Sequence, residues 1–132
     1  MTNPFWALIA VFTVLQIKHF ICDYPLQSTY QLANKGTYGH PGGIIHSGLQ
    51  ALFTLPIFLL VTPTFALGVG IIVGEFVLHY NLDWTKSQIN KRFALAGHHR
   101  EFWWAIGADQ LAHHLTYIAI AGLLVGLTIG TG

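Results

Sequence analysis

The sequence predicts an all-α fold, a polytopic membrane protein built as a four-helix transmembrane bundle, and three observations carry that expectation. Of 132 residues, 53% are apolar and 8% charged, a balance suited to lipid rather than water. The apolar residues fall into four stretches, each near the roughly 20 helical residues that cross a hydrocarbon core about 30 Å thick. Every lysine and arginine then lies on one side of the resulting map. On this reading residues 1–132 form a single transmembrane domain, with no length left for a separate soluble one.

The first helix is expected over about residues 5–22, an apolar run broken only by Gln16, Lys18 and His19 near its far end. Asp23-Tyr24-Pro25 stops it, because proline cannot donate a backbone hydrogen bond and disfavours helix in the residue before it. Met1-Thr2-Asn3-Pro4 has no basic region and no cleavage site follows, so this segment is expected to be retained. A polar connection, residues 24–42, carries turn chemistry at Lys35-Gly36 and from Gly39 to Gly43. The second helix is expected over about 44–61 and the third over about 65–82, separated by the tight Thr62-Pro63-Thr64 break. Residues 83–101 hold Lys86, Lys91, Arg92 and Arg100 and read as a loop with an interfacial turn. The fourth helix is expected over about 102–127, long enough to span with tilt.

Trp84, Trp103 and Trp104 fall where an aromatic belt would lie, at the same level as the basic residues. The positive-inside rule therefore puts the 24–42 and 83–101 connections in the cytoplasm and both termini on the other side. Gly70/Gly74 and Gly122/Gly126/Gly130 are spaced for close helix approach, within one chain or between copies in a homo-oligomer or larger membrane complex. The formal charge of +1, without a basic run, excludes nucleic acid as a partner and leaves membrane lipid as the natural one. Cys22 is the single cysteine, so no intramolecular disulfide forms.

The chemistry-bearing residues repeat one spacing: His19-x-x-x-Asp23, Glu75-x-x-x-His79-x-x-x-Asp83 and Asp109-x-x-x-His113, with His46 at the start of the second helix. Residues four apart share a helix face, so each pair projects together. The first and third helices descend to the basic face and carry the motif late, whereas the second and fourth rise from it and carry theirs early. All four clusters therefore meet at one depth. Ionisable groups within spans cost on the order of 2.5–3.5 kcal/mol each, so such groups are paired, solvated or functional. Imidazole with carboxylate is the donor mix of zinc, manganese and non-haem iron sites. The expected ligands of a divalent metal are His19, Asp23, His46, His79, Asp83, Asp109 and His113, for one ion or two; Glu75 or Asp109 would handle the proton. The plainer reading is a buried hydrogen-bond and ion-pair network that fixes helix register.

Around these, Gln110 and Tyr117 share a face with His113, for orientation or for packing, while His114 points about a quarter-turn away. His40, His98 and His99 read as polar loop residues. Lys18 is expected to snorkel to the interface, Lys86 to bind an anionic headgroup or, more simply, to follow the basic bias, and Gln16, Gln27 and Gln50 to hydrogen-bond between helices or at the interface.

The strings His19-Phe20-Ile21-Cys22-Asp23-Tyr24-Pro25-Leu26-Gln27, His79-Tyr80-Asn81-Leu82-Asp83-Trp84-Thr85-Lys86 and Asp109-Gln110-Leu111-Ala112-His113, with His46 between them, resemble a family of small bacterial membrane proteins known as domain of unknown function 3307. The resemblance runs from roughly Leu15 to Tyr117 and implies this fold in a bacterial inner membrane. A looser likeness to small inner-membrane proteins described as metal-dependent hydrolases, which also place histidine and aspartate on several helices, points the same way as the residues. The expected function is a membrane-embedded metal-dependent hydrolase at the cytoplasmic leaflet, acting on a lipid or phosphorylated substrate. The alternative is a non-enzymatic metal-, haem- or proton-handling subunit, or a scaffold, of a larger membrane assembly.

Overall fold

The computed structural model describes residues 3–129, which leaves Gly130 of the glycine spacing outside the described residues. Among the described residues the fold is all-helical, with helices α1 (Pro4–Asp23), α2 (Thr29–Asn34), α3 (Pro41–Leu52), α4 (Ile57–Leu60), α5 (Phe65–Arg92) and α6 (Arg100–Thr128). Four segments are long and apolar enough to cross a membrane: α1, the stretch from Pro41 to Leu60, α5 and α6.

Local chemistry explains most boundaries. Asn3 caps α1, its side chain accepting from the Phe5 and Trp6 amides, with Pro4 at the first helical position where a missing N–H costs nothing. α2 lies inside what reads from sequence as an irregular connection. Its cause is a capping box, in which the Ser28 hydroxyl accepts from the Gln31 amide and the Gln31 side chain accepts from the Ser28 amide. His40 caps α3 through Nδ1, which accepts from the Gly42 amide, so that helix begins at Pro41. The span then breaks at residues 53–56 and resumes in α4 after Pro56, whose ring cannot sit within a continuous helix.

The largest departure from the sequence expectation is α5, which runs straight through residues 83–92. No proline or glycine interrupts that stretch, and Lys91 and Arg92 in the last turn favourably meet the negative end of the helix dipole. The loop to α6 is thereby cut to residues 93–99 and turns at Ala94, a non-glycine residue with φ +49°. At the same end Trp103 donates to the Gly97 carbonyl at 2.8 Å, and the Arg100 guanidinium lies 4.9 Å from the Trp104 ring centroid.

The four spans close a ring: α1 packs on α6, α6 on α5, α5 on α3, and α3 with α4 back on α1. Its interior is divided lengthwise. One half is apolar, built from Ala7, Val11, Leu15, Ile57, Leu124 and their neighbours. The other half, toward the basic end, buries Asp83, Asp109 and histidines from all four spans. Large apolar side chains such as Phe5, Leu59, Phe65 and Leu127 point outward, as lipid-facing residues do. Gly70, Gly74, Gly122 and Gly126 do not serve close approach within the chain, since a Cβ there would meet nothing within 4 Å. Close approach is made elsewhere: a Cβ at Gly42 would lie 2.8 Å from Asn34 Cβ, and one at Gly36 would lie 2.8 Å from Ser87 Cβ. These two glycines seat the α2 region against α3 and α5.

Candidate metal centre

Each wall of the polar half comes from one span. The last turn of α1 supplies His19 and Asp23, α3 supplies His46 and Gln50, α5 supplies His79, Asp83 and Lys86, and α6 supplies Asp109, Gln110, His113 and Tyr117. Helical four-residue spacing makes each pair project inward, and the alternating helix directions bring them to one level.

Four donor atoms converge. His46 Nε2 lies 3.1 Å from His79 Nε2, 3.1 Å from Asp83 Oδ2 and 3.3 Å from Asp23 Oδ1, while His79 Nε2 is 3.5 Å from Asp83 Oδ2. Ligand atoms held at about 2.0–2.2 Å around a tetrahedral ion stand about 3.3–3.6 Å from one another, close to the 3.1–3.5 Å of these contacts. Two imidazole nitrogens facing each other and the same carboxylate are difficult to satisfy by hydrogen bonds alone, because each Nε2 carries at most one proton. Asp23, His46 and His79 form one group of donor atoms all within 4.8 Å, and His79, Asp83 and His113 form another. The residues present thus fit a divalent cation.

A surrounding layer orients these donors. Gln50, fully buried, donates to Asp23 Oδ1 at 2.6 Å. The Lys35 ammonium, carried just past α2, reaches Asp83 Oδ2 at 3.2 Å, and the Gln27 amide stands 3.4 Å from His46 Nδ1. Lys86 is not merely a basic residue of the rim: its Nζ sits 3.0 Å from Asp109 Oδ2 and 3.5 Å from Asp83 Oδ1. Sequence reading missed Lys35 as a site residue and gave Lys86 at most a headgroup-binding role, not contact with the cluster's carboxylates. The signal for Lys86 was its position three residues after Asp83, one turn along the same helix face.

Other expected residues lie at the edge. His19 stands 3.4 Å from Asp23 Oδ2, but Tyr117 Oη contacts its Nδ1 at 2.9 Å and Gln110 Oε1 its Nε2 at 3.0 Å, so both ring nitrogens are engaged by protein. Gln110 and Tyr117 therefore orient His19 rather than His113. Glu75, expected among the site's acids, is drawn away from the histidines: one oxygen pairs with Lys18, and the other accepts from the Thr54 hydroxyl at 2.5 Å. Lys18 correspondingly does not snorkel. It is 3% exposed and also donates to the Gln50 carbonyl, because an acid at its own depth across the ring, on α5, satisfies it where it lies. His98 and His99 stack on each other in the 93–99 loop, and His114 packs edge-on to the His19 ring.

Four helices able to span a membrane, closed around a buried histidine–aspartate cluster, define a class of small polytopic proteins with a polar core at one depth. Residues 11–130 match the family described as protein of unknown function (DUF3307), and the chain belongs to it. No curated protein and no solved structure matches the chain.

Proposed function

We propose that the cluster is a divalent metal centre and the chain a membrane-embedded metal-dependent hydrolase whose basic end faces the cytoplasm. The observation that carries this reading is the convergence of His46 Nε2, His79 Nε2, Asp83 Oδ2 and Asp23 Oδ1 at coordination spacing inside a buried, polar compartment. The orientation follows from the placement of Lys35, Lys86, Lys91, Arg92 and Arg100 at that end.

A bound zinc, manganese or iron ion would lower the pKa of a water and polarise the bond to be cleaved. The chain's own residues supply the rest. Lys35 and Gln50 hold Asp83 and Asp23 in position, which keeps the ligand set assembled before substrate arrives. A cavity of about 730 Å³ lies between α5 and α6, lined by Leu82, Ile89, Trp104 and Ala105 together with Lys86 and Asp109. Its apolar walls suit an acyl chain and the Lys86 ammonium suits a phosphorylated headgroup, so the substrate reads as a lipid or lipid phosphate. Of the two acids expected to handle the proton, Asp109 borders this cavity, whereas Glu75 is committed to Lys18 and Thr54. That leaves Asp109 as the acid beside the cavity.

Elemental analysis of the detergent-purified protein, joined to phosphate release from a lipid phosphate in mixed micelles, tests the reading. Wild type should carry metal and turn over. His79→Ala should lose both, and Asp109→Ala should lose turnover while still eluting as a folded protein. Wild type free of metal after loading sinks the proposal, and metal binding without turnover on any phosphorylated or acyl lipid makes the chain a metal-handling subunit instead.

A further inference from the structure

The polar compartment holds more donor atoms than one ion can use. His113 is 2% exposed and Asp109 6%, and His113 Nε2 and Asp109 Oδ1 stand 3.5 Å apart with neither making a hydrogen bond among the described residues. Buried polar atoms are rarely left this way, and two adjacent orphans of opposite donor chemistry mark a place for something else. Asp83 supplies the third donor. Its Oδ2 faces His46 and His79, while its Oδ1 turns to His113 Nε2 at 3.9 Å. The His79 and His113 rings stack with centroids 4.1 Å apart at 29°, which sets their nitrogens side by side.

We propose that a second divalent cation binds between His113 Nε2, Asp109 Oδ1 and Asp83 Oδ1, with Asp83 bridging it to the first. The inference rests on the metal reading above and adds a second ion to it. One imidazole and two carboxylates suit manganese, iron or zinc, and three protein donors leave positions open for water and substrate. A bridging carboxylate gives the spacing of about 3.5–4 Å found in two-metal sites, which clamp the attacking and leaving oxygens of a displacement at phosphorus. The substrate class thereby narrows to a phosphate ester. Lys86 Nζ holds the outer oxygen of Asp109, Oδ2, at 3.0 Å and reaches Asp83 Oδ1 at 3.5 Å, while Asp109 Oδ1 stays turned toward His113.

Manganese is the probe. The full chain in detergent, loaded with Mn²⁺ and dialysed, is analysed for metal content and by electron paramagnetic resonance. Two ions per chain with an exchange-coupled spectrum are expected in wild type. His113→Ala and the near-isosteric Asp109→Asn should each lose the coupled spectrum and at least one ion. A wild type with one ion overturns the second site and leaves the first standing, whereas no ion at all overturns both. Two uncoupled ions, or coupling that survives in both variants, would also refute it, since the ions would then lie elsewhere.

Discussion

Glu75 and Lys18 show how the chemistry of single residues is settled by partners that sequence spacing does not reveal. Glu75 precedes His79 by one helical repeat and so resembles half of a ligand pair; yet Lys18, from a helix far away in sequence, takes it. That contact depends on how α1 and α5 face each other across the ring, and no local pattern encodes it. The inward-facing pairs themselves were legible, because four-residue spacing forces a shared face. What the pairing implies energetically is measurable. Lys18→Met leaves an uncompensated buried carboxylate and should cost about 3–5 kcal/mol of stability in detergent unfolding. The double substitution Lys18→Met with Glu75→Leu removes both charges and should recover most of that loss. A double variant no more stable than the single would show that the pair is not the source of the penalty.

At the level of elements, hydropathy located the four spans and misjudged their ends. α5 continues to Arg92 because helix formation depends on backbone and side-chain propensity, whereas the apolar signal stops where the site begins at His79 and Asp83. The polar residues that made 83–92 read as a loop are those the site requires on a rigid rod. α2 was legible in principle from Ser28-x-x-Gln31, a capping signature short enough to be hidden in a polar connection. The glycines depart from the within-chain half of their expectation. Regular spacing drew notice to Gly70 and Gly74, but the chain uses Gly36 and Gly42 for close approach. Gly42→Ala should therefore cost about 1–3 kcal/mol and push α2 from α3, since its Cβ would overlap Asn34. Gly74→Ala in the same detergent assay should be neutral or stabilising by up to about 1 kcal/mol, as alanine is the better helix former. Equal losses in the two variants would contradict this assignment.

For the whole molecule, the convergence of polar groups at one depth was the feature most clearly written in the sequence. It follows from helix direction alone: two spans carry their motifs late and two carry them early. The arrangement ties global stability to the site, because the proposed ligands of the first ion come from α1, α3 and α5 and the second ion adds α6. An ion bound only by the assembled ring stabilises it in proportion to occupancy, by about 2.7 kcal/mol at a concentration one hundred times the dissociation constant. Titrating manganese into metal-free protein should accordingly raise the thermal midpoint of wild type. His79→Ala should show no such rise; an equal response in that variant would place binding outside the cluster.

Asp83 touches Lys35 and His46 on one side and Lys86 and His113 on the other, so α6 completes surroundings that α3 and α5 begin. Without α6 that carboxylate loses His113 and is incompletely shielded. A variant cut before α6 should therefore be less stable in lipid and more readily proteolysed than the intact chain.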